Sequence, residues 1–543
     1  LQSAIPLGAN RLRGGFTLLH LVGIAVAALV LLPIIYLGIR TFTADTSAVD
    51  LIFRQRTAEI LLRSILLVGL VTTGSVLIAV PMAWLTLRTN LPFRNLWTIA
   101  AVLPLVIPSF IGAFVAVIAL SPRGMLRDLL DTLFGVERLP DIFGLPGATL
   151  VLTLLTFPYV FIPVRASLRR MDPALEEMSR NLGHGSLATF RYVTLPLLKP
   201  AISAGAVLTA LYTLSDFGAV SLLRYETFTW AIFVQYDTAF DRSIAAALSL
   251  VLVAVALGIL AVDIASRGQG RYHRSTVGAV RPVRQIELGG WRWPALAFVS
   301  VVTALSLMAP LGIVTFWVIR GVVRGEEVGL DWTAFSNSLQ AGGLAALFTT
   351  LAAVPVAILA VRHRGLLSLA IERATYLGFG LPGIAVALAL VFFGINVITP
   401  IYQTRALLIL AYIILFLPAA IGAIRASLMQ VNPRIEEAAR GLGKNPWQVA
   451  WRVTLPLVMP GVLAGAATVF LLTMKELPAT LILGPIGFQT LATDIWGFTE
   501  EAFFAKAAVP ALVLIISAGV PTAFLLFRDA QLSSTDTSDS TTE

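Results

Sequence analysis

The chain has 543 residues, 57% hydrophobic and only 13% charged, with a formal charge of +9 and a mean hydropathy of +0.86. Soluble domains carry about a quarter charged residues, so this composition excludes a soluble multidomain protein and points to the membrane class. Cysteine is absent, which excludes disulfides, thiolate metal sites and a cysteine nucleophile. The positive charge lies in short loops between apolar runs, not in one patch, which excludes a nucleic-acid surface.

In chain order, Arg11 and Arg13 precede an apolar run that opens near Phe16. At about 23 residues it exceeds the roughly 7–15 of a signal-peptide core, and no small-residue cleavage pattern follows, so it reads as a retained span. A bilayer core takes roughly 20 apolar residues per helix, and about twelve runs qualify: 16–38, 60–86, 96–120, 148–165, 197–222, 243–264, 293–320, 339–361, 370–394, 405–424, 457–483 and 506–527. The expected fold is an all-α polytopic membrane protein. Pro81, Pro104, Pro158, Pro355, Pro382 and Pro418 fall inside these runs, where neighbouring helices can re-satisfy the freed carbonyls.

Sorting the loops alternately places about 25 Lys/Arg on one side and about 13 on the other, with Lys475 inside a span. The positive-inside rule then puts both termini in the cytoplasm. The longest inner loop carries Arg267, Arg271, Arg274, Arg281, Arg284 and Arg292 and reads as a basic linker. The tail "DAQLSSTDTSDSTTE" is acidic and too polar for a core, so disorder is expected there.

The chain is written twice. "EEMSRNLGHGSLATFRYVTLP" at 176–196 aligns without a gap to "EEAARGLGKNPWQVAWRVTLP" at 436–456, an offset of 260. "RASL" at 165–168 recurs at 425–428, and "PAISAGA" at 200–206 matches "PGVLAGA" at 460–466. Farther upstream "AVP" at 79–81 recurs at 353–355, an offset of 274. Six spans per half make the halves parallel repeats. The expected division is 1–264, a linker at 265–292, a second repeat at 293–528 and the tail at 529–543.

Each polar stretch lies between the fourth and fifth spans of its repeat, on the cytoplasmic side. Asn432 is a good N-cap, Pro433 suits the first helical position, and Glu436 and Glu437 fall where the helix dipole favours acids. Gly441 and Gly443 suit a left-handed C-terminus. Asp172, Pro173, Glu176, Glu177 and Gly183 repeat that logic. A helix of about ten residues is too short to stand alone in water. It needs a surface, and a docking element for a cytoplasmic partner supplies one.

The pattern Glu437, Ala438, Ala439, Gly443, Val453, Leu455 and Pro456 resembles the loop of bacterial ATP-binding-cassette importer permeases. The first copy matches with Glu177, Gly183, Val193, Leu195 and Pro196, but has Met178 and Ser179 in place of the two alanines. The resemblance implies the type I importer permease fold. It also implies two ATPase subunits that receive the short helices, a separate periplasmic or lipid-anchored binding protein, and residence in the bacterial inner membrane. Glu176, Glu177, Gly183, Leu195, Pro196, Glu436, Glu437, Ala438, Ala439, Gly443, Leu455 and Pro456 are the implied ATPase-coupling residues. No "GxxxxGK[ST]" occurs in the chain, so ATP and Mg are assigned to the partner subunits, and no cofactor, catalytic residue or resident metal to this chain.

From 16 to 528, and especially in Ser215–Val253 and Lys475–Trp496, the chain is most similar to ferric-iron importer permeases. Thiamine and aminoethylphosphonate permeases share the family and the layout. His20, His184, His273 and His363 all fall near the cytoplasmic side, so no outer histidine cage is expected. Asp216 and Glu476 occupy matched positions toward the outer ends of spans five and eleven. Ionisable groups in a span are functional candidates, here for the translocation pathway; an ion pair of Lys475 with Glu476 is the structural alternative. A major-facilitator secondary transporter would carry its charged, Gly-rich motif between spans two and three, where this chain reads "LRTNLPFRN". A membrane enzyme would need clustered catalytic or metal-ligating side chains, and the sequence offers none.

Overall fold

The computed structural model describes residues 18–43, 54–237, 242–266, 286–363 and 365–519. Most of the basic linker, the acidic tail, Arg11, Arg13 and His273 lie outside them. Among the described residues there is no named strand, and ten helices are long and apolar enough to cross a membrane, or eleven if one bent pair counts as a single span. Shorter apolar helices run over Arg94–Val106 and Phe504–Gly519. Every one of the twelve apolar runs meets a helix, but four are not continuous spans.

Two of the four break at proline. Ile107, before Pro108, has φ −78° and ψ 117°, and Leu381, before Pro382, has φ −84° and ψ 118°. Proline disfavours helical backbone in the residue before it, so each third span of a repeat ends in a short 3-10 turn and restarts. At the second site the two pieces bend by 108°. The other two breaks come at acids. The fifth span ends at Ser215 rather than 222, and the eleventh at Met474 rather than 483.

The chain divides into two compact units, and they differ from the sequence repeats. One unit comprises Leu1–Tyr36, Leu339–Leu381 and Ala389–Thr473. The part of the first helix, Leu18–Thr43, up to Tyr36 falls in this unit, which holds most of the second repeat. A Cβ on Gly23 would sit 2.6 Å from Leu359 Cδ1 and 3.2 Å from Ile371 Cδ1, and the Tyr36 hydroxyl donates to the Phe392 carbonyl at 3.2 Å. Helix–helix contact in a membrane favours small residues because apolar burial gives no preference over lipid.

The other unit comprises Leu37–Ser338, Pro382–Leu388 and Met474–Glu543. Its core joins Gln55–Arg88, Leu145–Arg170 and Leu195–Ser215 through Met82, Ala83, Phe157, Val160, Phe161, Leu168 and Leu198. Gly205 faces the Val160 backbone, where a Cβ would come within 2.5 Å of Cα. Within the same unit, Ile286 at the described end of the linker forms a parallel bridge with Thr89. Ile286 N donates to Arg88 O at 2.8 Å, and Asn90 N to Ile286 O at 3.2 Å.

Candidate functional site

The two polar stretches fold alike. In the first, the Asp172 carboxylate caps Pro173–Asn181 by accepting from Ala174 N at 3.0 Å. In the second, the Asn432 side chain caps Pro433–Gly441 by accepting from Arg434 N at 3.0 Å. Proline opens both helices. Both close on a left-handed glycine, Gly183 at φ +88° and Gly443 at φ +81°, whose N–H groups donate to Arg180 O and Arg440 O at 2.9 Å. Each chain then makes one short helical turn, Ser186–Thr189 or Pro446–Val449. A five-residue π turn follows, Phe190–Thr194 or Ala450–Thr454, and leads into a long helix starting at Leu195 or Leu455.

The paired glutamates do different things. Glu177 and Glu437 are exposed. Glu176 and Glu436 are 8% and 6% exposed and turn into the protein. Glu176 Oε1 accepts from the Thr194 hydroxyl at 2.9 Å and lies 3.7 Å from Arg88 Nη2, which also donates to the Leu168 carbonyl at 3.2 Å. Glu436 Oε1 accepts from the Thr454 hydroxyl at 3.0 Å and from Arg362 Nη2 at 3.2 Å, and Arg362 Nη2 also donates to the Val431 carbonyl at 3.0 Å. Each acid thus clamps its short helix to the last residue of one long helix and to the π turn before another. Such a pair is held by geometry and extra hydrogen bonds, because removing one partner strands a charge at a cost of about 3–5 kcal/mol. The sequence reading missed Arg88, Arg362, Thr194 and Thr454. Arg88 and Arg362 share the 274 offset of the repeated "AVP", and Thr194 and Thr454 the 260 offset of the loops, so the signal was there.

The outward faces carry apolar side chains: Leu175, Met178, Leu182 and Tyr192 in the first copy, and Ile435, Leu442, Trp447 and Trp451 in the second. Ala438 is exposed and Ala439 half-buried. Where the second copy has Ala439, Lys444 and Val449, the first has Ser179, His184 and Thr189. The buried Ser179 hydroxyl lies 3.1 Å from His184 Nδ1 and 3.1 Å from Thr189 Oγ1.

Asp216 and Glu476 both sit just past the end of a long helix and cap the short one that follows. Asp216 Oδ1 accepts from Ala219 N at 2.9 Å, ahead of Gly218–Leu222. Glu476 Oε1 accepts from Ala479 N at 3.2 Å, ahead of Pro478–Leu483. The two acids lie within electrostatic reach of each other and of Tyr212. Lys475 Nζ donates to the Leu105 carbonyl at 2.9 Å. Opposite the acids, matched positions differ in size. Ser109 neighbours Asp216, whereas Gly383 leaves room for the longer Glu476, whose Oε1 would lie 2.6 Å from an added Cβ. Among the described residues, no group of three or more His, Asp or Glu could hold a metal ion.

The family described as binding-protein-dependent transport system inner membrane component matches residues 75–270 and again 349–528. Over 504 residues the chain is 38% identical to the Fe(3+)-transport system permease protein FbpB 2 of Haemophilus influenzae, covering 92% of this chain and 96% of that one. It is 23% identical to the ferric transport system permease protein FbpB of Actinobacillus pleuropneumoniae, over 87% and 71% of the two chains. A third relative, the molybdenum transport system permease protein ModB of Escherichia coli, is 31% identical over 36% of this chain and 88% of its own. With a repeated match over both halves and a relative aligned nearly end to end, the chain belongs to the binding-protein-dependent transport permeases of the inner membrane: a multi-pass transport subunit, not an enzyme.

Proposed function

We propose that this permease takes up ferric iron in an ATP-driven importer, with both termini in the cytoplasm. The observation that carries the cargo is the 38% identity to an Fe(3+)-transport permease over almost the whole of both chains. A periplasmic or lipid-anchored binding protein delivers the iron, and two ATPase subunits hydrolyse MgATP. The short helices Pro173–Asn181 and Pro433–Gly441 dock on those subunits through Glu177 and Glu437 and the apolar residues around them. Their exposed Leu, Met and Trp side chains support this reading, since clustered apolar surface marks an interaction site.

The clamps suggest how force travels. When the ATPases close, each short helix moves, and Glu176 or Glu436 draws with it the end of one long helix and the start of the next. Asp216 and Glu476, at the far ends of those helices, line the outer part of the pathway. Hard oxygen atoms suit a ferric ion, and few ligands let it leave.

The test is uptake of radiolabelled iron in cells that carry this permease with its ATPase and binding protein as their sole ferric route. Uptake that needs both partners is expected; uptake without the ATPase, or none at all, defeats the proposal. In the same cells, an Asp216→Asn, Glu476→Gln double variant at normal expression should lose uptake, and unchanged uptake removes these acids from the pathway.

A further inference from the structure

Two tyrosines lie side by side next to Asp216, and the second repeat has neither. Tyr159 belongs to Leu145–Arg170 and Tyr212 to Leu195–Ser215. Their ring centroids are 5.5 Å apart, with the rings tilted by 42°. Tyr212 precedes Asp216 by four residues, so the two side chains share one helix face and are offset by about 6 Å along its axis. All three residues belong to the same compact unit. Asp216 is fixed at both its side chain and its main chain. Its Oδ1 accepts from Ala219 N at 2.9 Å, and its carbonyl accepts from the Thr229 hydroxyl at 2.6 Å.

Packing does not require the phenols. With the offset of 260, Pro158 matches Pro418 and Asp216 matches Glu476, but Tyr159 and Tyr212 match Ala419 and Leu472. The same pair of spans is therefore built in the second repeat without a hydroxyl. Nor do the tyrosines fill the core. Their chain neighbours Val160, Leu211 and Thr213 are 0%, 3% and 2% exposed, whereas Tyr159 and Tyr212 are half-buried. Their rings border open space. That space is not the lipid phase, because the face of Tyr212 also carries the carboxylate of Asp216, and ionisable groups within spans turn to the protein interior or to a water-filled cavity.

Two phenols and a carboxylate form a particular kind of ligand set. All three offer hard oxygen atoms, which suit a hard cation. A phenol is protonated at neutral pH, so the empty site carries one negative charge at most. A cation acidic enough to displace both phenol protons meets three negative charges. A ferric ion is then neutralised, while a divalent ion would leave a net charge of −1 in a partly desolvated site, which is costly. On binding, each O–H bond breaks, its electron pair forms the oxygen–iron bond, and the proton passes to water. No electron changes hands. Return of the protons releases the ion, so the set does not trap its cargo.

We propose that Tyr159, Tyr212 and Asp216 form a transient binding site for a ferric ion crossing the first repeat. The proposal rests on the ferric cargo argued above and adds to it the groups that distinguish a trivalent from a divalent ion. Glu476, within electrostatic reach of Asp216 and Tyr212, stands beside this site and is not needed to complete it.

The test uses the full chain, purified in nanodiscs and titrated with ferric nitrilotriacetate while visible absorbance is followed. Phenolate bound to iron(III) gives a charge-transfer band that carboxylate and water do not give. Wild type should develop the band. Tyr159→Phe and Tyr212→Phe should each weaken it, and the double variant, which keeps both rings and should keep the thermal stability of wild type, should lose it. Asp216→Asn retains both phenols and should reach the band only at higher iron concentration. Tyr225→Phe, which removes a hydroxyl already donating to the Arg63 carbonyl at 3.1 Å, should leave it unchanged. Absence of the band in wild type, or its survival in the double variant, overturns the site. Neither result decides the cargo, which is read from iron uptake by wild type with its partners, whereas the band is read on the permease alone.

Discussion

The two polar loops reach one backbone shape with different interiors. Both use a capping oxygen 3.0 Å from an amide, a proline, an inward glutamate and a left-handed glycine. Between those fixed points the first loop ties Ser179, His184 and Thr189 together by hydrogen bonds, while the second places Ala439, Lys444 and Val449 there. Met178, 61% exposed, stands where the second copy has Ala438. The departure of the first loop from the double alanine therefore has two parts. Ser179 is absorbed inside the loop, and Met178 changes its exposed surface. The shared parts specify shape, and the divergent parts specify which face is presented.

The clamps give the sharpest way to test that division. Glu176→Ala strands Arg88, whose side chain is 2% exposed, and Glu436→Ala strands Arg362, at 16%. Both should lose about 3–5 kcal/mol, read as lower thermal stability in detergent, with the first loop losing more. A larger loss at Glu436 would show that depth of burial does not rank the two. Next come the glycines. Gly183→Ala and Gly443→Ala each force a Cβ into left-handed backbone at about 1–2 kcal/mol, so their stability costs should match. Loss of transport-stimulated ATP hydrolysis should nevertheless be greater for Gly443→Ala and Glu437→Ala than for Gly183→Ala and Glu177→Ala, and equal losses would make the loops interchangeable.

A third comparison sits at the far helix ends. Gly383→Ala drives a methyl against Glu476, so overpacking should cost about 1–3 kcal/mol, and Glu476→Asp should restore stability by copying the shorter acid of the first repeat. Ser109→Ala removes a polar neighbour of Asp216 and should cost about 1 kcal/mol or less. The smallest effect belongs to the interior triad. Ser179→Ala alone should cost about 1 kcal/mol, whereas Ser179→Ala with His184→Lys and Thr189→Val should be nearly neutral, because replacing all partners leaves none unsatisfied. A triple variant worse than the single one would mean that the triad does more than fill space.

Local features were the legible ones. Asp172 and Asn432 as caps, Gly183 and Gly443 as left-handed ends and the twelve apolar runs all follow from a few neighbouring residues. What escaped depends on distance or on competition between local rules. Lys475 bonds the carbonyl of Leu105, 370 positions away, and no spacing announces that. Pro382 reads as a tolerable membrane proline, yet it breaks its span because Leu381 before it turns extended, as Ile107 does before Pro108. Asp216 and Glu476 read as charges within spans, but they end their helices and cap the next ones. Glu176 and Glu436 read as early-turn acids of the coupling loops, and their inward turn could not be read there because the arginines that pair with them, Arg88 and Arg362, come from another helix.

The π turns at Phe190–Thr194 and Ala450–Thr454 hold one residue more than an α turn would. At 3.6 residues per turn, that surplus residue is worth about 100° of rotation. Every side chain beyond Leu195 or Leu455 therefore has its compass bearing set at the loop end. A shaft of some 20 residues carries that bearing about 30 Å, to the point where Asp216 or Glu476 begins the next element. Tightening either turn into an α turn would swing its helix about its own axis without lengthening it appreciably, so each loop sits on an angular key as well as on a lever.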